Sequence, residues 1–500
     1  MQEGKVGVVV AAEDSPSTTQ FHFILTSEKI KKGNYVFLNS QNKKIFGQVI
    51  EIFWSNRYFK SHEVVADISN FGGMDNFPTE AWSYGLAKAK IIGVLDEDRF
   101  VRCFFPPKCG EEIFLASALD LQKILNLPPS GLNLGKLLHH ELDVKLDLSK
   151  LIGKHLAILA MSGAGKSYFC SVLLEEILEI KKEEGRISTL IFDSHQDYTF
   201  LKEAYPSAVE VIDAKNLKLS YLSLGVNKIV SMLDLSPRSK FLLEKLFKQI
   251  KQKKKTQGIP TPSLDELLEM IEKDNINQNT KAALMEAISM LKSLKFISNK
   301  DNFKKSQFPS PGKLIIFDLS SIENLDQKQL LVHYFLSKFF NARKKKKIPP
   351  TLAIIEEAHN FCPEKEKASA ALSRDIINTI AREGRKFFFC LCLISQRPVN
   401  LSTTALSQCS TNVILRITNP NDLEHILQSS EAMDADSLKF IPGLEVGSAL
   451  ILGEVSRFPL FLEIRKRKTS FQRPSKSIQQ EAKEFELEQK RIEEELNLHF

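Results

Sequence analysis

No C-x-x-C pair occurs anywhere in this chain, and its seven cysteines are odd in number and widely scattered. They cannot all pair within one molecule, so neither a disulfide framework nor a zinc ribbon is expected. Cys390 and Cys392 lie closest together, in an apolar run that suits buried thiols. The opening Met1-Gln2-Glu3-Gly4-Lys5 lacks the apolar stretch of a secretory signal. The uninterrupted apolar run Phe387 to Ile394 falls far short of the roughly 20 residues that span a bilayer. Internal repeats are missing too. Neither sign of charge dominates: 68 basic against 61 acidic residues leave +7, too mild an excess to prove a nucleic-acid partner. These absences exclude a secreted scaffold and a membrane-spanning protein, and the expected localisation is cytoplasmic.

What is present is an ordinary globular composition, 43% hydrophobic and 26% charged over 500 residues. At about 150 residues per domain, that length suggests roughly three structural units. Up to about residue 130 the chain is rich in short strand patterns. Lys5 to Ala11, Tyr35 to Leu38, Ile45 to Phe53 and Ala89 to Leu95 carry β-branched and aromatic residues between turn-like stretches. A small barrel or sandwich is predicted for residues 1–130. Asn126 to Leu138, with Pro128, Pro129 and two glycines, reads as a linker.

From about residue 150, apolar runs alternate with longer helical patterns. The predicted strands are His155 to Leu159, Ser188 to Phe192, Lys313 to Phe317, Thr351 to Ile355, Phe387 to Ile394 and Asn412 to Ile417. Runs apolar on both faces belong in a buried, mainly parallel sheet, and the alternation defines an α/β core, here residues 131–470. Residues 228–305 read as helices only, inserted into that core, with Ser263 and Glu266 forming a capping box. Residues 471–500 form a tail in which Ser475 to Leu498 has the pattern of a helix that is marginal alone, and either docks on another surface, such as a neighbouring subunit, or stays a solvated terminus.

The strand ending at Leu159 runs into Ala160-Met161-Ser162-Gly163-Ala164-Gly165-Lys166-Ser167. This is G-x-x-x-x-G-K-[ST] with alanine at the first position. Small residues let backbone amides curl around phosphate oxygens, and the following helix adds its N-terminal dipole. Ser162, Gly163, Ala164, Gly165, Lys166, Ser167 and Tyr168 are the expected nucleotide-binding residues. Lys166 supplies a mobile charge for the β- and γ-phosphates of ATP, and Ser167 a hydroxyl for Mg²⁺.

Such a loop needs acids opposite it. Thr351 to Ile355 ends in Glu356-Glu357, and two carboxylates at the tip of a buried parallel strand are costly without a task. Glu356 is the expected metal residue, acting through a water, and Glu357 the expected general base. Gln396, at the tip of the next strand, is placed to sense the γ-phosphate or orient the water. Arg385, just before that strand, is placed to neutralise charge on the transferred phosphoryl group. Asp193 to Tyr198 follows another strand and lies near the same edge, but His195 has no spaced partner that would make it a metal ligand.

The segments Lys154 to Leu159, Glu356-Glu357-Ala358-His359, Glu383-Gly384-Arg385-Lys386-Phe387, Ile394-Ser395-Gln396-Arg397-Pro398, Ser407-Gln408-Cys409 and Asn412 to Asn419 together resemble the HerA family of archaeal hexameric ATPases, DNA translocases related to FtsK. The resemblance covers about residues 125 to 465, and more loosely the N-terminal barrel. It implies a RecA-like P-loop NTPase core with an N-terminal β-barrel and an inserted helical bundle. It further implies a homo-hexamer around double-stranded DNA, a NurA-type nuclease partner, and work at DNA ends in repair. A C-terminal segment packed over a neighbour's nucleotide site is implied too. Lys154 stands where many relatives carry an arginine that reaches the next subunit's ATP. Asp193-Ser194-His195-Gln196-Asp197-Tyr198 departs from the family's Asp-x-His-Gly-Glu-Tyr pattern.

Three basic runs, Lys251 to Lys255, Arg343 to Lys347 and Arg465 to Lys468, can grip phosphate without reading sequence. The expected function is a ring-forming, Mg²⁺-dependent ATP hydrolase that moves along duplex DNA. The alternatives are a nucleotide-dependent scaffold, or an ATPase driving nucleoprotein through a conjugation or secretion pore.

Overall fold

In the computed structural model, the described residues are 4–12, 16–56, 83–97, 99–233, 235–364, 371–430, 433, 435–470 and 477–497. Near the N-terminus, Lys5–Val10 pairs antiparallel with Gln20–Leu25 on one side and Glu112–Leu115 on the other. The order continues through Tyr35–Ser40, Lys43–Asn56 and Ser83–Asp96, and the last of these pairs back onto Gln20–Leu25. Six strands therefore close into a barrel, which removes every free edge among them. Alternate residues point inward. Phe21, Phe23, Val36, Leu38, Ile45, Val49, Ala87 and Ala89 fill the interior with no exposed surface.

The second sheet has eleven strands and carries the site. Seven are parallel, in the order Val209–Asp213, Leu314–Asp318, Ser188–Asp193, Thr351–Ile355, Phe389–Ser395, Leu156–Leu159 and Thr411–Ile414. The central strands are buried along their whole length, which is why they read as continuous apolar runs. Four antiparallel strands extend the sheet: Ser448–Leu452, Leu460–Ile464, Leu132–Leu137 and Asp143–Leu146.

Part of the expected linker is thus a strand. Gly135 is not there for flexibility. It has φ of +151°, and a Cβ on it would lie 2.0 Å from Glu463 O, so the residue permits close pairing with Leu460–Ile464. The barrel rests on this antiparallel end. Tyr35 Oη donates to Pro459 O at 3.1 Å, and Tyr35 N donates to His140 Nε2 at 3.1 Å.

Between the edge strand Val209–Asp213 and its neighbour Leu314–Asp318 lie the helices Val226–Met232, Pro237–Gln257, Leu264–Lys273 and Gln278–Ser293. The capping box forms: Glu266 N donates to Ser263 Oγ at 3.1 Å, and Ser263 N to Glu266 Oε2 at 2.7 Å. The segment is not helical throughout, because Ile297–Ser298 pairs in parallel with Leu219–Ser220. That small ladder ties the two ends of the excursion together.

A separate unit, residues 467–500, contains the helix Ile478–Asn497. Reciprocal bonds between Ser477 and Gln480 cap its start. Of the helix expected over Ser475 to Leu498, residues 475, 476 and 498 lie outside the described residues. All seven cysteines are free, and six are buried. Among the described residues no helix is long and apolar enough to cross a membrane.

Candidate active site

At one edge of the large sheet, four adjacent parallel strands run out into carboxylates: Asp213, Asp318, Asp193 and Glu356. Beyond the next strand, Phe389–Ser395, Leu156–Leu159 leads into the glycine-rich loop. Ala160 N donates to Ser395 O at 3.2 Å and Met161 N to Arg416 O at 3.0 Å, so both neighbouring strands pin the base of the loop. Gly163 and Gly165 have φ of +76° and +101°, a conformation that L side chains rarely hold. Ala160 is fully buried and outside the positive-φ residues, so the site does not need a glycine there. Helix Lys166–Leu178 starts directly after Gly165. Its first-turn amides have no intrahelical acceptors, and its dipole favours an anion in front of them.

Lys166 Nζ stands 3.7 Å from Glu357 Oε1, with both side chains nearly buried. Glu357 holds φ of +50°, costly for a non-glycine residue. It sits in the sharp turn between Thr351–Ile355 and the short helix Ala358–Phe361. Its Oε2 is buried without a hydrogen-bond partner among the described residues. His359 Nδ1 lies 3.4 Å from that oxygen and 3.1 Å from Ser395 Oγ. His359, to which the sequence reading gave no role, is therefore a neighbour of the expected base. Its signal was its place two residues after Glu357.

Glu356 is sealed at 2% exposure. Its Oε2 accepts from Ser194 N at 3.0 Å. Burial, reinforced by the charges of Asp193 and Asp197, pushes its pKa up to about 9. Burial also raises the pKa of Asp193, so the pair retains a proton at neutral pH. Asp193 organises the following turn. It accepts from His195 N and Asp197 N at 3.1 Å and from Tyr198 N at 3.0 Å. The hydroxyl of Ser167 donates to Asp197 Oδ2 at 2.6 Å. The carboxylate hydrogen-bonded to the loop serine is thus Asp197, where sequence reasoning had set Glu356 beside Ser167.

A triphosphate with its divalent cation fits these residues. The loop offers backbone donors, Lys166 a charge and Ser167 a hydroxyl. Glu357 Oε2, which accepts no hydrogen bond among the described residues and has His359 Nδ1 beside it, is an acceptor of the kind a general base needs. Tyr168 lies half-buried in the first turn of the helix. Gln396 follows Ser395, which is in register with Leu159, so it stands beside the base of the loop and is partly buried.

Lys154 and Arg385 are elsewhere. Both precede their strands, Leu156–Leu159 and Phe389–Ser395, and so occupy the sheet edge opposite the loop. Within one chain they do not join the nucleotide site. They line a separate cavity of about 500 Å³ with Gln408, Ser410, Asn412 and Glu454. Lys154 Nζ is ion-paired with Glu454 Oε1. His155, buried at φ of +64°, fixes this edge. Its Nδ1 accepts from Leu391 N at 2.9 Å, which leaves Nε2–H to donate to Ala381 O at 2.9 Å.

Two of the basic runs contain structural members. Arg465 binds Glu175 Oε2 at 2.9 Å, Glu176 Oε1 at 2.8 Å and Asn133 O at 2.9 Å. It fastens the helix Lys166–Leu178 to the antiparallel extension and is unavailable to DNA. Arg343 donates to Phe387 O at 2.7 Å and Ile348 O at 3.0 Å. Lys251 to Lys255 and Lys345 to Lys347 are exposed.

The fold and this edge define a P-loop ATPase with a RecA-like core. Residues 132–339 match the family described as the central domain of helicase HerA. The DNA double-strand break repair helicase HerA of Sulfolobus acidocaldarius is 27% identical, over 88% of this chain and 90% of that protein. Its counterpart in Pyrococcus furiosus is 29% identical, over 76% and 77%. Among solved structures, VirB4 of Thermoanaerobacter pseudethanolicus shares the fold with a TM-score of 0.54 at 17% identity, covering 68% of this chain and 98% of that one. The chain is thus similar to HerA helicases along most of its length, and its central part matches their family model.

Proposed function

We propose that this protein is a ring-forming, Mg²⁺-dependent ATPase that translocates along double-stranded DNA and works with a nuclease in processing DNA ends for repair. The observation that carries the reading is the meeting of Lys166 and Glu357 at 3.7 Å beside the glycine-rich loop. The loop backbone and Lys166 hold the triphosphate, and bound Mg²⁺ neutralises charge on its phosphoryl oxygens. Glu357 accepts the proton of the attacking water through its Oε2, with His359 beside it. Gln396 orients that water from the adjoining strand.

Lys154 and Arg385 act on the neighbouring subunit's nucleotide. Their place on the far sheet edge supports this, since a ring of like subunits sets one edge of each against the opposite edge of the next. The exposed lysines of 251–255 and 345–347 supply phosphate contacts without sequence preference. The names of the relatives support a role in double-strand break repair. The barrel of residues 1–130, the core of 131–470 and the tail of 471–500 are the working divisions, and the tail packs over a neighbour's site.

The test is ATP hydrolysis at low salt with and without linear duplex DNA, alongside particle mass in solution. Stimulation by the duplex and a mass near six subunits are expected. Turnover indifferent to any DNA would replace the translocase with a nucleotide-dependent scaffold.

A further inference from the structure

The turn between Ser188–Asp193 and Tyr198 is built to aim one side chain. Asp193 is spent on three backbone amides, those of residues 195, 197 and 198. Gln196 takes the left-handed conformation at φ of +61°, which a glutamine adopts only when its surroundings impose it. His195 and Gln196 are turned out to solvent. What this construction delivers is the Asp197 carboxylate, with Oδ2 2.6 Å from Ser167 Oγ. Asp197 is half-buried and faces the loop. Glu356, the acid at the tip of the central strand, is closed off at 2% exposure and committed to Ser194 N.

We propose that Asp197, rather than Glu356, is the carboxylate that supports the nucleotide-bound Mg²⁺. It does so by orienting the Ser167 hydroxyl and accepting hydrogen bonds from the metal's bound waters. The proposal rests on the reading of the loop as an ATP site. A carboxylate bonded to a metal-binding hydroxyl fixes which lone pair the hydroxyl offers, and such a partner changes metal affinity strongly when removed. Glu356 then serves as a buried anchor between two strands. Its hydrogen bond to Ser194 N holds the start of the Asp197 turn.

The consequence is a division of labour between two short segments. Glu357 comes from the turn before the helix Ala358–Phe361, whereas the metal-side acid stands two residues after His195 in a separate turn. A change in the length of that turn would therefore alter the Mg²⁺ response without moving the expected base.

The test uses the full chain and a fluorescent ATP analogue. Its dissociation constant is measured in Mg²⁺ and in EDTA, and the ratio of the two reports the metal's contribution apart from turnover. Asp197→Asn should lower that ratio by about tenfold or more, as loss of a metal-orienting partner does. Asp197→Glu should recover most of it, and Glu356→Gln should change it by less than about threefold. An unchanged ratio in Asp197→Asn, or a larger loss in Glu356→Gln, would overturn the assignment. Wild-type chain that binds no analogue at all would instead overturn the ATP-site reading beneath it.

Discussion

Lys166 and Glu357 reach each other across an intervening strand. The loop lysine follows Leu156–Leu159 and the acid follows Thr351–Ile355, with Phe389–Ser395 between them, yet Nζ and Oε1 are 3.7 Å apart. A long cation on a flexible stem and an acid on a strained turn close the gap. This brings the loop lysine and the proposed general base together within one chain.

Lys154 and Arg385 lie at the other edge, and the proposed function assigns them to a composite site between subunits. Lys166→Ala and Arg385→Ala should each abolish turnover alone. Mixed and reassembled, they should recover about a quarter of the wild-type rate, the share of interfaces that random ring assembly leaves intact. Steady-state hydrolysis of the mixture checks this, and no recovery would contradict action in trans.

Gln196 is strained, at φ of +61°. Gln196→Gly should raise stability by about 0.5–1 kcal/mol, since glycine takes the left-handed conformation without the Cβ clash. Denaturant unfolding measures it, and a loss of stability would show that the glutamine side chain holds the turn.

Arg465 neutralises the fully buried Glu175. Arg465→Ala leaves that carboxylate unpaired and should cost about 3–5 kcal/mol. Arg465→Lys should restore little, because one ammonium cannot match the guanidinium's spread of donors to Glu175, Glu176 and Asn133. Urea denaturation of both variants decides the point.

His155 links stability to pH. Burial lowers its pKa from 6.5 to about 4, so below the unfolded value the unfolded chain takes up the proton first. Its contribution is complete above about pH 6.5 and is lost as pH falls toward 4, up to about 3 kcal/mol. His140 and His333 share the direction. The check is therefore the difference between wild type and His155→Gln, which should show the shallower decline from pH 7 to 4.

The central strands were legible because burial on both faces leaves continuous apolar runs, as in Thr351–Ile355 and Phe389–Ser395. The edge strand Val209–Asp213 was not, because only Val209 and Ile212 are buried and its pattern is weak. Leu132–Leu137 was hidden by nearby prolines and by Gly131 and Gly135. The loop and its acidic pair stood out through residue types that have few other reasons to follow an apolar strand. The tie between Ser167 and Asp197 could not be read, since it depends on three amides gathered by Asp193 and on one left-handed glutamine. Arg465 looked like surface charge because its buried partner, Glu175, lies on a distant helix.

The most direct measurement is Glu357→Gln. This substitution keeps the size and removes the base, so the variant should bind the fluorescent ATP analogue about as tightly as wild type while hydrolysis falls by roughly 10²–10⁴-fold, the usual contribution of a general base. Undiminished hydrolysis in that variant would contradict the account.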